Sequence, residues 1–178
     1  HLPQNAACLR LQGNDGKAKK SKTLSNCIYL SEEAADLTKK VKGMFTDPNH
    51  IKVEDPGRVE GNVVFTYLDA FCKDEYFPKY WPEYNNLQEV KDHYTRGGLG
   101  DMKVKKFLNA VLEEELSPIR ERRKEFQKDI PYVYQVLKEG SEKAREVAAQ
   151  TLAEVRAAMK IDYFDNTEWI NQQVAKFQ

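Results

Sequence analysis

Apolar residues recur along this chain mostly at the three-to-four-residue spacing of helices. The first such stretch follows Ser31-Glu32-Glu33, a hydroxyl and two acids where a helix start favours a cap and negative charge. It predicts a helix to about Met44, with Ala34, Leu37 and Val41 on one face and Lys39, Lys40 and Lys42 near its C-terminal end. Thr46 to Arg58 reads as loop, with Pro48 and Asp55-Pro56-Gly57 as breakers. Asn62 is predicted to cap a second helix through Phe71. Val63, Val64, Phe65, Tyr67, Leu68 and Phe71 make that helix apolar nearly all round, which places it in the core.

Residues 73–86 hold five aromatics and two prolines and read as a packed irregular loop, Trp81 included. A short helix is predicted over Asn86 to Tyr94, ended by Gly97-Gly98-Leu99-Gly100, with Asp101 capping the next. Val104, Phe107, Leu108, Val111 and Leu112 make an apolar stripe between Met102 and Glu115. Pro118 is placed in the first turn of a further helix carrying Arg120, Arg122, Arg123, Lys124 and Lys128. Ile130-Pro131 breaks the pattern, and a helix from Tyr132 is expected to stop at Gly140. Ser141 opens the last long helix, to about Met159, with Ala144, Val147, Ala148, Leu152, Val155 and Met159 as its stripe. A final helix is expected from Thr167 to Phe177. Before all of these, Leu9 and Leu11 alternate around Arg10 as at the end of a strand.

Composition narrows the function classes. The 178 residues suit one sizeable core, or one domain and a trailing lobe. With 28 basic and 28 acidic residues the formal net charge is zero, so any contact with nucleic acid must come from a local patch. No apolar run approaches the roughly 20 residues of a membrane helix, and His1-Leu2-Pro3-Gln4 is not the start of a secretory signal. Cys8, Cys27 and Cys72 lack zinc-like spacing and read as reduced thiols of a cytoplasmic protein. His50 and His93 add no metal site on spacing grounds, and no nucleophile–base pair stands out. Asp69 reads as a hydrogen-bonded structural carboxylate. The chain does not begin with Met and reads as a piece of a longer protein.

The densest chemistry is Gly16-Lys17-Ala18-Lys19-Lys20-Ser21-Lys22-Thr23. Mobile ammonium groups suit phosphate oxygens, and small residues between them let backbone N–H groups approach the same oxygens. A solvated basic loop fits the same residues. The Arg120/Arg122/Arg123/Lys124 cluster is equally two-sided: Glu121 and Glu125 interrupt it, so a salt-bridged solvent face competes with an RNA-backbone contact.

Lys19 to Thr23 resembles the "KMSKS" loop of class I aminoacyl-tRNA synthetases. The likeness extends through Leu24-Ser25-Asn26-Cys27-Ile28-Tyr29-Leu30, Thr46-Asp47-Pro48, Asp55-Pro56-Gly57 and Glu60-Gly61-Asn62 to Phe71. It continues at Gly97-Gly98-Leu99-Gly100-Asp101-Met102-Lys103 and at Leu116-Ser117-Pro118-Ile119-Arg120-Glu121-Arg122-Arg123. Together these blocks resemble the C-terminal half of the bacterial-type tryptophanyl-tRNA synthetases. The resemblance implies a mainly helical, anticodon-binding lobe of a class I synthetase, with the N-terminal Rossmann half absent from the chain. It divides the chain into the end of the catalytic domain (residues 1–30) and a helical tRNA-binding domain (31–178).

The resemblance also implies chemistry. Lys19 and Lys22 match the motif's two lysines and are the implied catalytic residues; Ser21 matches its central serine. Lys19, Lys20, Ser21, Lys22 and Thr23 are the expected contacts to ATP phosphates, Lys20 on its charge alone since the motif match does not cover it, with Mg²⁺ carried by the ATP and no metal site of the chain's own. Lys20 stands where the family usually has Met, and Thr23 where it has Ser. Arg120, Arg123 and Lys124 are the expected RNA contacts. ATP, tryptophan, tRNA and a second copy in a homodimer are the implied partners, without a membrane. The family's tryptophan pocket and "HIGH" histidines lie outside this chain, so the chain alone is expected to be inactive. A non-catalytic helical RNA-binding module and a tyrosyl-tRNA synthetase fragment are the alternatives.

Overall fold

A computed structural model describes residues 11–17 and 19–177; they form seven α-helices with no strand among them. The strand end expected at Leu9 lies outside the described residues, as does Cys8. The chain divides into two compact units, residues 1–124 and 125–178. The lysine-rich loop belongs to the same unit as the helices up to most of the fifth.

In the first unit, α1 (Ala34–Lys42) buries Leu37 and Val41 and leaves Ala34 exposed. It starts later than the Ser31 cap predicts: Glu33 is the capping residue and its side chain makes no cap bond. Glu32 is instead turned back, receiving Lys40 Nζ at 2.5 Å and Tyr29 N–H at 3.1 Å. Helix α2 (Val63–Phe71) begins at the predicted cap, where Asn62 Oδ1 accepts Val64 N–H at 3.1 Å. It buries Val63, Val64, Phe65, Tyr67 and Leu68, so it is the central element of the core. The aromatic segment is not irregular throughout. A 3₁₀ turn (Asp74–Tyr76) leads into α3 (Phe77–Tyr80), which sinks Phe77 fully into the core. Helix α4 (Leu87–Arg96) is capped by Asn86 through Glu89 N–H at 3.0 Å.

Helix α5 (Asp101–Gln127) corrects two expectations. Asp101 is its first residue, and its carboxylate is turned away from capping. It accepts the Tyr94 hydroxyl at 2.6 Å, the Thr46 hydroxyl at 2.9 Å and the His50 ring Nδ1 at 3.1 Å. These bonds fasten the long 46–58 loop to α4 and α5. Pro118 starts no new helix but lies inside α5. An internal proline costs about 3 kcal/mol through a lost bond and a clash. Burial of Leu116 and Arg120 on either side holds both halves to one core and offsets that cost.

In the second unit, α6 (Ile130–Ala158) is one helix where the sequence predicted two. Gly140 inside it costs only about 1 kcal/mol against Ala, and helix continues on both sides. Asp129 Oδ1 caps it through Tyr132 N–H at 3.0 Å. Helix α7 (Thr167–Phe177) spans the predicted residues. No side chain of α6 or α7 is buried, so the stripe through Val147, Leu152 and Val155 lies exposed. Among the described residues no helix is long and apolar enough to cross a membrane.

Candidate functional site

The lysine-rich loop is shaped by a residue that sequence reasoning passed over. Asn26 is buried, and its amide works at both ends. Its Nδ2 donates to Lys19 O at 2.9 Å and to Asp15 Oδ1 at 3.1 Å, while Oδ1 accepts Ser21 N–H at 2.9 Å. Its own carbonyl accepts Asn14 N–H at 2.8 Å. One amide thus ties both flanks of the loop, which only a side chain with donor and acceptor can do. A Cβ at Gly13 would run into that amide, so glycine is required there for the close approach. Ser25, at φ +51°, makes the left-handed turn that returns the chain to Asn26. The signal available in the sequence was an Asn soon after the lysines, a residue that commonly bonds its own neighbourhood.

The held loop does not treat its lysines alike. Lys19, Lys22 and Thr23 are exposed, and neither lysine has an ion-pair partner among the described residues. Ser21 is half-buried, its N–H spent on Asn26. Lys20 is placed differently from Lys19 and Lys22. Its ammonium lies over the Tyr67 ring, 5.1 Å from the centroid, and burial lowers its pKa from the ordinary lysine value. An inward-turned position with an apolar stem over an aromatic ring suits Met as well as Lys. Burial also pushes the Tyr67 phenol up to about 12, so it stays a neutral donor, to Gln12 O at 3.3 Å.

The basic cluster on α5 divides in the same way. Arg120 is 6% exposed. Its guanidinium is paired with the Glu113 carboxylate and donates to Glu32 O at 3.2 Å. In this structure it clamps α5 to the chain just before α1. Nothing in the sequence marked it, since it shares its type and helix with exposed neighbours. Arg123 is exposed, and Lys124 makes an exposed 2.9 Å pair with Glu121 of little energetic weight. The described residues contain no His/Cys/Asp/Glu group able to hold a metal ion. His50 and His93 have local partners, Asp101 and the Tyr84 hydroxyl at 2.6 Å. Asp69 is paired with Lys91.

The loop thus leaves Lys19 and Lys22 exposed and, among the described residues, without an ion-pair partner. The model of the family described as tRNA synthetases class I (W and Y) matches residues 4–117. The chain belongs to this family. Among individual relatives it is 65% identical over 157 residues to a tryptophan–tRNA ligase of Clostridium longisporum, covering 88% of the chain and 43% of that protein. It is 54% identical over 162 residues to the tryptophan–tRNA ligase of Streptococcus pyogenes serotype M3, covering 91% of the chain and 46% of the relative. The chain therefore spans just under half the length of these relatives. The crystal structure of tryptophanyl-tRNA synthetase from Campylobacter jejuni, complexed with ADP and tryptophan, superposes with a TM-score of 0.63 at 23% identity. That match covers 85% of this chain and 43% of the other and shows the shared, mainly helical fold.

Proposed function

We propose that the protein carrying this chain attaches tryptophan to tRNA. Tryptophan is first activated with ATP as an aminoacyl-adenylate, then passed to the tRNA 3′ end. The observation that carries this reading is the loop: two exposed lysines with no ion-pair partner among the described residues, in a loop held by one buried amide, in a chain 65% identical to a tryptophan–tRNA ligase. In activation the tryptophan carboxylate attacks the α-phosphorus. A new P–O bond forms, the α–β bridge breaks, and charge gathers on the departing pyrophosphate. Lys19 and Lys22 are free to meet that charge, and contacts made best in the transition state accelerate the step. Ser21 and Thr23 add hydroxyl donors beside them. Mg²⁺ arrives with ATP, as part of the substrate.

The helices after the loop form the tRNA-facing lobe, with Arg123 and Lys124 on its basic surface. The protein acts as a cytoplasmic homodimer. The wider family handles tryptophan and tyrosine; the names of the relatives support tryptophan. The test is amino-acid-dependent pyrophosphate exchange by the whole protein. Tryptophan-dependent exchange is expected, with none for tyrosine and none from residues 1–178 alone. Exchange driven by tyrosine, or by no amino acid, rejects the reading. In the whole protein, Lys22→Ala is expected to lower the activation rate with little change in tryptophan affinity. An unchanged rate removes Lys22 from the chemistry.

A further inference from the structure

A groove of about 400 Å³ runs along α5 in the first unit, with Tyr80, Trp81 and Glu83 on one wall and Lys103, Lys106 and Asn109 on the other. That volume lies within the range of small-ligand sites, which start at about 300 Å³. Lys103, Lys106 and Phe107 share one face of the helix, being three and four residues apart. The aromatic wall is held in advance. Trp81 packs on Phe107 with ring centroids 5.3 Å apart and meets Tyr84 edge-on at 4.8 Å. The Tyr80 hydroxyl donates to Glu114 Oε2 at 2.5 Å. Both rings are half-buried, so each keeps open surface.

The charges nearby are unevenly used. Lys73 and Lys79 are paired with Glu115 and Glu114 at 2.8 and 2.9 Å. Lys103 and Lys106 are exposed and have no ion-pair partner among the described residues. Asn109 lines the groove, with its Oδ1 buried and without a hydrogen-bond partner among the described residues. A buried orphan acceptor is costly and calls for an N–H donor. Aromatic faces, free ammonium groups and an unmet amide oxygen are the parts of a single-stranded nucleic-acid site.

We infer that this groove takes one unstacked nucleotide of the tRNA. Its base stacks on Trp81 and Tyr80, its flanking phosphates meet Lys103 and Lys106, and a rotated Asn109 amide accepts a base N–H. The inference rests on the tRNA reading above. It places the RNA contact away from the buried Arg120.

The test uses the whole protein and a transcript of tryptophan tRNA, with filter binding over a range of salt. The double variant Lys103→Ala/Lys106→Ala is expected to weaken binding about tenfold and to reduce the salt slope by about two. Asn109→Ala is expected to weaken binding severalfold at unchanged salt slope, because it removes no charge. Affinity and slope within error of wild type in the double variant overturn the proposal. So does a fall in melting temperature with tRNA affinity retained, which assigns the groove to a protein contact. A wild-type protein lacking both tryptophan-dependent exchange and tRNA binding sinks the underlying reading. Wild-type exchange and binding with an insensitive groove sink this proposal alone.

Discussion

Replacing Asn26 by Ala tests whether the lysine loop works because it is held in shape. The substitution leaves Ser21 N–H without its 2.9 Å acceptor and Lys19 O without its 2.9 Å donor, and removes the 3.1 Å bond to Asp15. The backbone bond from Asn14 N–H to residue 26 O survives. Each lost bond is worth about 1 kcal/mol net, because Lys19 is exposed and Ser21 half-buried and water replaces part of what is lost. Two backbone groups released therefore cost about 2 kcal/mol, a factor of about 30 in the population of the held loop. The core helices lie elsewhere, so the melting temperature should change little. In the whole protein, tryptophan-dependent pyrophosphate exchange is expected to lose up to about thirtyfold in kcat/KM for ATP. The KM for tryptophan should be unchanged. Asn26→Asp keeps the acceptor for Ser21 but loses both donors and faces Asp15, so it too should slow exchange. Rates within twofold of wild type for Asn26→Ala, in a protein that melts normally, would refute the argument that a preshaped loop matters.

Asp101→Ala strips the acceptor from Tyr94, Thr46 and His50; with the carboxylate partly exposed, the expected loss is about 3 kcal/mol, read as a lower urea midpoint at constant slope. A shift worth under about 1 kcal/mol would show that water already serves these groups. Hydrogen bonds from Lys73 and Tyr76 depress the Glu115 carboxyl below its ordinary value of 4.5. Its contribution to stability is therefore complete above that unfolded value and fades as pH falls through the depressed folded one. Glu115→Gln should flatten the pH dependence of the urea midpoint below about pH 5, and an unaltered profile would remove this pair from the acid response. Burial, with Asp74 and Asp69 nearby, pushes the Cys72 thiol up to about 12, so iodoacetamide should label it far more slowly than free cysteine at neutral pH; equal rates would contradict that environment.

Much of the helical framework could be read from the chain because its signals are short-range. Asn62 and Asn86 cap by reaching an N–H two or three residues ahead, and α7 lies between Asn166, which accepts Trp169 N–H, and the end of its apolar pattern. The aromatic segment was harder: its two short helical turns have no periodicity of their own and depend on Phe77 finding the core. Of the candidate site, Lys19 and Lys22 stand exposed, while the position of Lys20 over Tyr67 and of Arg120 against Glu113 could not be read from residues of the same charge beside them.

The sequence by itself determined the helical class, the Asn62 cap, the core helix α2 and the family, since spacing, local hydrogen bonding and ordered motif blocks all lie within the chain's own order. Tertiary structure alone decided that α5 runs through Pro118, that Asp101 gathers three partners, and that Asn26 shapes the loop. It also turned Lys20 onto Tyr67 and Arg120 onto Glu113 and the Glu32 carbonyl. The physical reason is common to these cases. A charge or a breaker has a local preference of a few kcal/mol at most, and the packed partners that outweigh it are brought near only by the fold.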